Sequence, residues 1–326
     1  MNITKGQRFR SLPNVSGLAG MLGHTAADLY EYVKAPQYAY FEIPKGKGGK
    51  RSITAPHPDL KEIQSRLNEI LQEVYRADCP PCSHGFVSGA HSRYAKTIIT
   101  NARAHVNKAF VLNMDLKDFF DSISASRVRR LFLDAPFGFK RELATCIALL
   151  CTYEKKLPTG APTSPVLSNM VCRELDVRLQ KLALKHNLAY TRYADDLSFS
   201  SDEELTEEAV QGITSIIQAE EFEVNRRKTR TRSRHNRQTV TGIVVNEKPN
   251  VPRQYIRLIR AILHNVEVKG ISAAAERYFS SRVLKGEDRN MAFQGALAGK
   301  IHHVGNVRGR RDLLYQKLLA RYYNHF

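Results

Sequence analysis

The sequence predicts an α+β fold in which an antiparallel sheet is backed by helices. Three observations carry this. Tyr193-Ala194-Asp195-Asp196 sits between two short apolar runs, Leu188-Ala189-Tyr190-Thr191 and Leu197-Ser198-Phe199-Ser200, which alternate and are rich in Tyr, Phe and Thr. They read as strand, tight turn, strand. Phe110-Val111-Leu112-Asn113-Met114 reads as a buried strand and runs straight into Asp115. Apolar residues also recur at helical spacing, most plainly Leu60, Ile63, Leu67, Ile70, Leu71 and Val74.

The remaining elements follow in chain order. Residues 16–34 read as helical, with Thr25 and Asp28 forming a capping box and Leu29, Tyr30 and Val33 an apolar face. Tyr38–Ile43 reads as a strand. Lys45-Gly46-Lys47-Gly48-Gly49-Lys50-Arg51 is a basic, glycine-rich turn, and Ser52-Ile53-Thr54 returns as a second strand that Pro56 ends. An amphipathic helix covers 58–76. Pro80, Pro81 and Gly85 break the chain before a helical stretch near 92–105. Helices are expected at 125–133, 139–152 and 164–186. After the hairpin at 189–201, a helix over 203–219 begins with glutamates that suit its dipole.

Composition narrows the chemistry. The chain has 326 residues, enough for a sizeable core and more than one lobe. Fifty Lys and Arg against 32 Asp and Glu give a net charge of +18, which attracts phosphate backbones or anionic membranes. Membranes are the weaker choice, because no apolar run approaches the roughly 20 residues that span a bilayer. The start, Met1-Asn2-Ile3-Thr4-Lys5-Gly6-Gln7, has no apolar signal core, so a cytoplasmic protein is expected. Cys79, Cys82, Cys146, Cys151 and Cys172 are odd in number and scattered, which fits reduced thiols. Cys79-Pro80-Pro81-Cys82 has the spacing of a metal or redox pair but lacks the second pair that a structural zinc needs. Segment 226–260 holds eleven Lys or Arg and one acid, Glu247. A charge run is often only a solvated face. This one continues into Tyr255, Ile256, Leu258, Ile259, Ile262 and Leu263 at helical spacing, so it describes a folded, basic, nucleic-acid-binding lobe, with a boundary near 220–245.

Adjacent carboxylates at a hairpin tip repel each other and have no packing rationale. A divalent cation with a taste for hard oxygen ligands removes the repulsion. Asp115, Asp195 and Asp196 at strand ends fit a two-metal site, in which rigidly held acids place cations about 3.5–4 Å apart. Asp118 and Asp121 lie near Asp115 in sequence but read as a turn or first helical turn, where capping is as good an account. A nuclease, a cyclase and a polymerase can each use such acids. Leu157-Pro158-Thr159-Gly160-Ala161-Pro162-Thr163-Ser164-Pro165 is a small-residue loop opening a helix, in which Gly160 lets backbone approach a ligand and a base pair lie flat. Such loops before helices are also common without any ligand. Phe119-Phe120 is a core pair, or one ring excludes a sugar 2′-hydroxyl. Lys228, after an apolar strand candidate, protonates a pyrophosphate leaving group or simply contacts phosphate or solvent.

In this order and spacing the segments resemble the reverse transcriptase family over most of residues 38–246. Asp115 falls in its first palm motif, the Gly160 loop in the second, Tyr193-Ala194-Asp195-Asp196 on the YxDD signature, and Lys228 in the fourth. The resemblance implies a right-hand polymerase, with N-terminal helix and fingers over 1–110, palm over 111–244 and thumb over 245–326. It implies two Mg²⁺ ions, replaceable by Mn²⁺, held by Asp115 and Asp195 with Asp196 assisting and the Leu116 carbonyl completing a shell. Lys50 and Arg51 would hold the nucleoside triphosphate, Phe120 would select deoxyribose, and Gly160 and Lys228 would line the nucleotide site. The family often has glutamine where this chain has Thr159, so a contact from that amide is not expected here.

Two further motifs resemble retron reverse transcriptases. Asn101-Ala102-Arg103-Ala104-His105 matches an NAxxH element, and Val240-Thr241-Gly242 a VTG element. Read locally, Asn101 caps a turn, His105 is an interior histidine, and Thr241-Gly242 is a strand kink. The resemblance implies a bacterial, cytoplasmic enzyme that binds its own structured non-coding RNA. It would prime from an internal guanosine 2′-hydroxyl and yield branched multicopy single-stranded DNA (msDNA) from deoxynucleoside triphosphates. It would act in anti-phage defence with a separate effector protein. The rivals are a group II intron or diversity-generating enzyme, a non-catalytic RNA-binding scaffold, and a metal nuclease.

Overall fold

The structure is a computed structural model that describes residues 3–44, 48–88, 96–279 and 286–326. In chain order the elements are α1 (Lys5–Arg10), α2 (Val15–Leu22), α3 (Ala26–Lys34), β1 (Tyr38–Pro44), β2 (Lys50–Pro56), α4 (Pro58–Ala77) and α5 (Ile98–Arg103). They continue as β3 (Phe110–Asp115), α6 (Ala125–Leu133), α7 (Arg141–Cys151), α8 (Ser164–Val171), α9 (Arg173–Lys185), β4 (Ala189–Tyr193) and β5 (Asp196–Ser201). The last are α10 (Glu207–Ala219), β6 (Arg230–Ser233), β7 (Thr239–Val240), β8 (Ile243–Val244), α11 (Arg253–Tyr278), α12 (Gly286–Arg308) and α13 (Leu313–Tyr323).

Two compact units result. The first comprises Met1–Thr97, Leu112–Phe199 and Leu205–Arg230; the second comprises Ile98–Val111, Ser200–Glu204 and Thr231–Phe326. In the first unit, β1 and β2 form an antiparallel hairpin with Tyr40 opposite Thr54 and Ile43 opposite Arg51. The order β4-β5-β3 makes the sheet that carries the acids. Only Ala194 and Asp195 join β4 to β5, so that pair is antiparallel. Helices back this sheet: Ile63, Leu67 and Leu71 of α4, Ile147 of α7, Leu175 and Leu179 of α9 and Ile213 of α10 are fully buried in one core. The expected α+β class and the apolar stripe of α4 are therefore observed.

The second unit has its own core, built on Ile256, Ile259, Leu263, Phe293, Leu297, Ile301 and Leu318. The expected apolar face of α11 is observed, except that Leu258 points to solvent. β7 and β8 form a minimal hairpin. Beyond β6, the neighbour of β3 in strand order, the Arg234 N–H donates to the Ala109 carbonyl at 2.7 Å.

Several boundaries differ from expectation for local reasons. The helix expected over 16–34 is two helices, because Gly23 ends α2 with φ 76° and the Thr25–Asp28 capping box starts α3 anew. The helix expected over 164–186 breaks at Cys172, whose ψ is 2°. α10 starts at Glu207 because Thr206 caps it, accepting from the Ala209 N–H. α1 was not anticipated, yet Thr4 and Gln7 form its capping box. The apolar strand expected before Lys228 reduces to a single bridge between Leu116 and Val224. The helical stretch expected near 92–105 is seen as α5; its residues 92–95, and Lys45–Lys47 of the basic turn, lie outside the described residues. All five cysteines are free, and burial pushes the Cys82 thiol up to about 12, away from thiolate chemistry. Among the described residues no helix is long and apolar enough to cross a membrane.

Candidate active site

Asp115 closes β3, whose Leu112 and Met114 are buried in the core, and is itself 7% exposed. The Asn225–Thr229 turn grips it. The Asn225 N–H donates to the Asp115 carbonyl at 2.8 Å, Asn225 Nδ2 donates to Oδ2 at 3.2 Å, and Lys228 Nζ donates to Oδ1 at 2.6 Å. The β4–β5 turn meets the next residue: the Leu116 N–H donates to the Asp195 carbonyl at 2.9 Å. This bond fixes the two strand ends beside each other, so Asp115, Asp195 and Asp196 act on one another electrostatically.

The charges are in conflict. Loss of hydration on burial, then the charge of Asp115, raises the Asp195 carboxyl above its ordinary range. Asp196 is pushed up to about 6 by the same loss of hydration, then by Asp195 and Asp115, although the residue keeps an exposed surface. Lys228 opposes both shifts, and its bond to Asp115 holds its own ammonium above the ordinary range. Among the described residues no three carboxylate, imidazole or thiol side chains enclose a ready metal position. The donor set still suits a hard cation: three carboxylates, two with raised pKa values, next to a lysine already drawn in as counter-charge.

The turn is held from beneath by groups that sequence reading missed. Ala194 has φ 58°, a left-handed conformation unusual for alanine. Arg192 Nη1 donates to its carbonyl at 3.1 Å. Arg192 is fully buried and pairs with the equally buried Asp176 of α9. Gly85 packs so closely on the turn that a Cβ there would lie 2.5 Å from the Ala194 nitrogen. Asn169 Nδ2 donates to the Gly85 carbonyl at 2.8 Å and Asn169 Oδ1 accepts from Arg192 at 3.0 Å. One signal was present: Asp176 shares a helical face with Leu179 and Ala183, an odd place for an unpartnered acid.

The other expected residues sort by position. Lys50 and Arg51 alternate across β2, so they lie on opposite faces of the hairpin. Arg51 acts electrostatically on Asp195, whereas Lys50 pairs with Glu42 at 2.7 Å. Phe119 is the core ring, stacked on Phe222 at 5.8 Å; Phe120 is half-buried and faces Phe86 at 6.0 Å. Gly160 makes its close approach to β2: a Cβ would lie 2.8 Å from the Thr54 carbonyl oxygen. Thr159, in the place of the family glutamine, ties the same loop to β2, its Oγ1 accepting from the Thr54 N–H and donating to the Ser52 carbonyl, each at 3.1 Å. Asp121 pairs with Lys156 at 2.7 Å, and α6 is capped by Ser124, so neither Asp118 nor Asp121 serves as its cap.

In the second unit, Asn101 meets the Val240-Thr241-Gly242 segment, and His105 lies against Ser200. Thr241 and Gly242, with φ 47° and 82°, form the two-residue turn between β7 and β8, with Val240 opposite Ile243. This is a tight hairpin turn, not a strand kink. Thr241 Oγ1 donates to the Ile98 carbonyl at 3.1 Å and lies 3.5 Å from Asn101 Nδ2. His105 is fully buried, with Nδ1 2.7 Å from Ser200 Oγ, as an interior histidine should be.

Comparison with known proteins adds the family. Residues 43–251 match the reverse transcriptase (RNA-dependent DNA polymerase) family. The chain is 39% identical over 246 residues to the retron Mx65 reverse transcriptase of Myxococcus xanthus, covering 70% of this chain and 55% of that protein. It is 34% identical to the retron Mx162 reverse transcriptase of Myxococcus xanthus, covering 78% and 59%, and 35% identical to the retron Ec86 reverse transcriptase of Escherichia coli, covering 66% and 65%. It thus spans between about half and two thirds of the length of these relatives. Among solved structures it is similar to telomerase from Candida albicans in complex with a TWJ fragment of telomeric RNA, with a TM-score of 0.49 at 11% identity, covering 90% of this chain and 64% of that one. With more than half its residues matched, the chain belongs to the reverse transcriptase family, in which it stands with the retron enzymes.

Proposed function

We propose that this protein is an RNA-directed DNA polymerase of a retron. The observation that carries the reading is the hydrogen bond from the Leu116 N–H to the Asp195 carbonyl, which sets the β3 acid beside the β4–β5 turn within a chain of this family. On this reading fingers, palm and thumb occupy about 1–110, 111–244 and 245–326. Asp115 and Asp195, with the Leu116 carbonyl, would hold two Mg²⁺ ions, and Asp196 would tune the charge beside them. When bound, such ions lower the pKa of an attacking hydroxyl and stabilise the leaving oxygens.

The chain's own residues do the rest. Arg51, on the face towards the acids, takes the triphosphate, and Lys50 flanks it from the outer face. Half-buried Phe120 lies under the sugar and rejects a 2′-hydroxyl. The primer hydroxyl gives up its proton to solvent water as its oxygen bonds to the α-phosphorus, the α–β bridging bond breaks, and pyrophosphate departs with Lys228 beside it as countercharge. In the second unit a cavity of about 750 Å³ lined by Arg232, Arg234, Arg237, Lys248 and Arg253 suits the backbone of a structured RNA.

The finer reading extends from the resemblance to retron enzymes: a cognate non-coding RNA, priming from an internal guanosine 2′-hydroxyl, an msDNA product, a cytoplasmic site of action and a role in anti-phage defence beside a separate effector. The test is to purify the protein from cells carrying its native neighbouring locus and sequence the bound nucleic acid. A DNA strand joined to RNA through a 2′–5′ branch is expected. Extension in vitro without any branch points to a group II intron or diversity-generating type of enzyme. Degradation without extension, or RNA binding with neither, removes the polymerase reading.

A further inference from the structure

Phe86 is a bulky residue held where glycine would be at ease. Its φ is 59°, in the left-handed region that side chains bearing a Cβ resist. The strain is sustained by its surroundings. Gln72 of α4, only 8% exposed, brackets the residue: its Nε2 donates to the Phe86 carbonyl at 2.9 Å and its Oε1 accepts from the Ser88 N–H at 3.1 Å. One residue earlier, Gly85 is pressed on the Ala194 nitrogen and its carbonyl is held by Asn169. The segment is thereby locked to the turn that carries Asp195.

What this strain places is a ring. The Phe86 centroid lies 6.0 Å from that of Phe120, tilted by 32°, and both rings are half-buried. Phe119, which meets Phe120 from another direction at 5.4 Å, is committed to the core. A half-buried ring adds less to the core than a buried one, and a glycine at 86 would remove the strain. The side chain therefore has a use beyond packing.

We propose that Phe86 is a positioning residue for sugar selection: it backs Phe120 and keeps that ring from yielding to a ribose 2′-hydroxyl. This rests on the polymerase reading above and on Phe120 as the sugar-facing ring. The two-ring wall links selection to the acids, because the backbone that strains Phe86 is the one packed on the Ala194 turn.

The test is single-nucleotide extension on a primed RNA template, comparing kcat/KM for deoxynucleotide and ribonucleotide in wild type, Phe86→Leu, Phe86→Gly, Phe120→Ala and the Phe86→Gly/Phe120→Ala double variant. Phe86→Gly relieves the backbone strain, so its melting temperature reports whether folding is intact. The expected result is a loss of discrimination of at least tenfold in Phe86→Gly, a smaller loss in Phe86→Leu, and a double variant no worse than Phe120→Ala alone. Discrimination unchanged in Phe86→Gly while Phe120→Ala alters it overturns the inference and leaves the polymerase reading standing. Discrimination unchanged in both variants overturns it together with the role of Phe120. Fully additive effects in the double variant overturn the claim that Phe86 acts through Phe120. No extension by wild type removes the polymerase reading itself.

Discussion

Arg192 and Asp176 form a two-pronged ion pair with no solvent exposure on either side chain: Arg192 Nη2 lies 2.6 Å from Asp176 Oδ2 and Nε 2.7 Å from Oδ1. The remaining polar capacity is used. Tyr190 Oη donates to Asp176 Oδ1 at 2.9 Å, and Arg192 reaches Asn169 and the Ala194 carbonyl. Breaking such a pair strands a buried charge, so Asp176→Asn should cost about 3–5 kcal/mol in urea denaturation. The paired exchange Asp176→Leu with Arg192→Met should recover most of that stability. It should not recover DNA synthesis, because the Ala194 carbonyl has lost its donor. Full activity in the paired variant would show that the ion pair only fills space.

Much of the site was legible because it rests on local pattern. The hairpin, the end of β3 and the helix over 58–77 follow from alternation, apolar runs and helical spacing, which do not depend on distant partners. The supports of the site were not legible. Arg192 looks like an ordinary hairpin base until Asp176, sixteen residues away, is seen to meet it. Gly85 looks like a chain breaker until it packs on Ala194. The opposite facing of Lys50 and Arg51 was implicit in strand alternation, but only the β2 boundary at Lys50 fixes both residues in the pleat. Gly160 was read as room for a ligand, whereas its neighbour is β2, a long-range contact with no local signature.

Lys228 stands on the atom that a cation would use. Its Nζ bonds to Asp115 Oδ1, while its own side chain is 61% exposed. Such an open pair contributes less than about 1 kcal/mol. Lys228→Met should therefore tighten Mn²⁺ binding in the absence of nucleotide by at most about fivefold. The same variant should slow pyrophosphate-releasing extension. Free-ion Mn²⁺ paramagnetic resonance reads the first effect and single-turnover extension the second. Weaker Mn²⁺ binding in the variant would mean that Lys228 does not compete for Asp115.

The raised Asp196 carboxyl gives a pH signature in metal-free protein. Its folded pKa of about 6 lies above the ordinary unfolded value, so the folded state binds the extra proton. The associated stability is complete below the unfolded pKa of about 3.9 and is lost as pH rises through about 6. Asp196→Asn removes this dependence. The variant should melt higher than wild type at pH 8 in the presence of a chelator, with the gap closing towards pH 4. A gap that widens on acidification would reverse the sign and remove the assignment.

Asp195→Asn keeps the shape of the turn and its backbone bond to Leu116 while deleting one negative charge at the proposed reaction centre. Loss of one preorganised electrostatic group costs on the order of a hundred- to a thousandfold in rate, and loss of a metal ligand should cost more. Synthesis should fall below detection. Affinity for RNA, which the proposed reading assigns to the basic second unit, should stay within about twofold, since a single charge against a net charge of +18 changes little once screened. Filter binding beside an extension assay separates the two. DNA product persisting in this variant would refute Asp195 as a metal ligand.

Gly160 and Thr159 join the loop before α8 to β2, which also carries Arg51. The Gly160 N–H donates to the Thr54 carbonyl at 3.0 Å, and any Cβ at 160 would meet that oxygen at 2.8 Å and Ile53 Cγ2 at 2.9 Å. The Thr54 oxygen belongs to a paired strand and has little room to retreat. Gly160→Ala should therefore push the loop off β2 at about 1–3 kcal/mol of overpacking. Because Arg51 lies on the same strand, the displacement should appear chiefly as a raised KM for deoxynucleotide, with kcat less affected. Thr159→Val is the control. It keeps the shape of the side chain but deletes its bonds to the Thr54 N–H and the Ser52 carbonyl, each contributing about 1 kcal/mol, so its KM effect should be in the same direction and smaller. If Gly160→Ala changed kcat alone, the loop would be acting on the acids directly and not through β2.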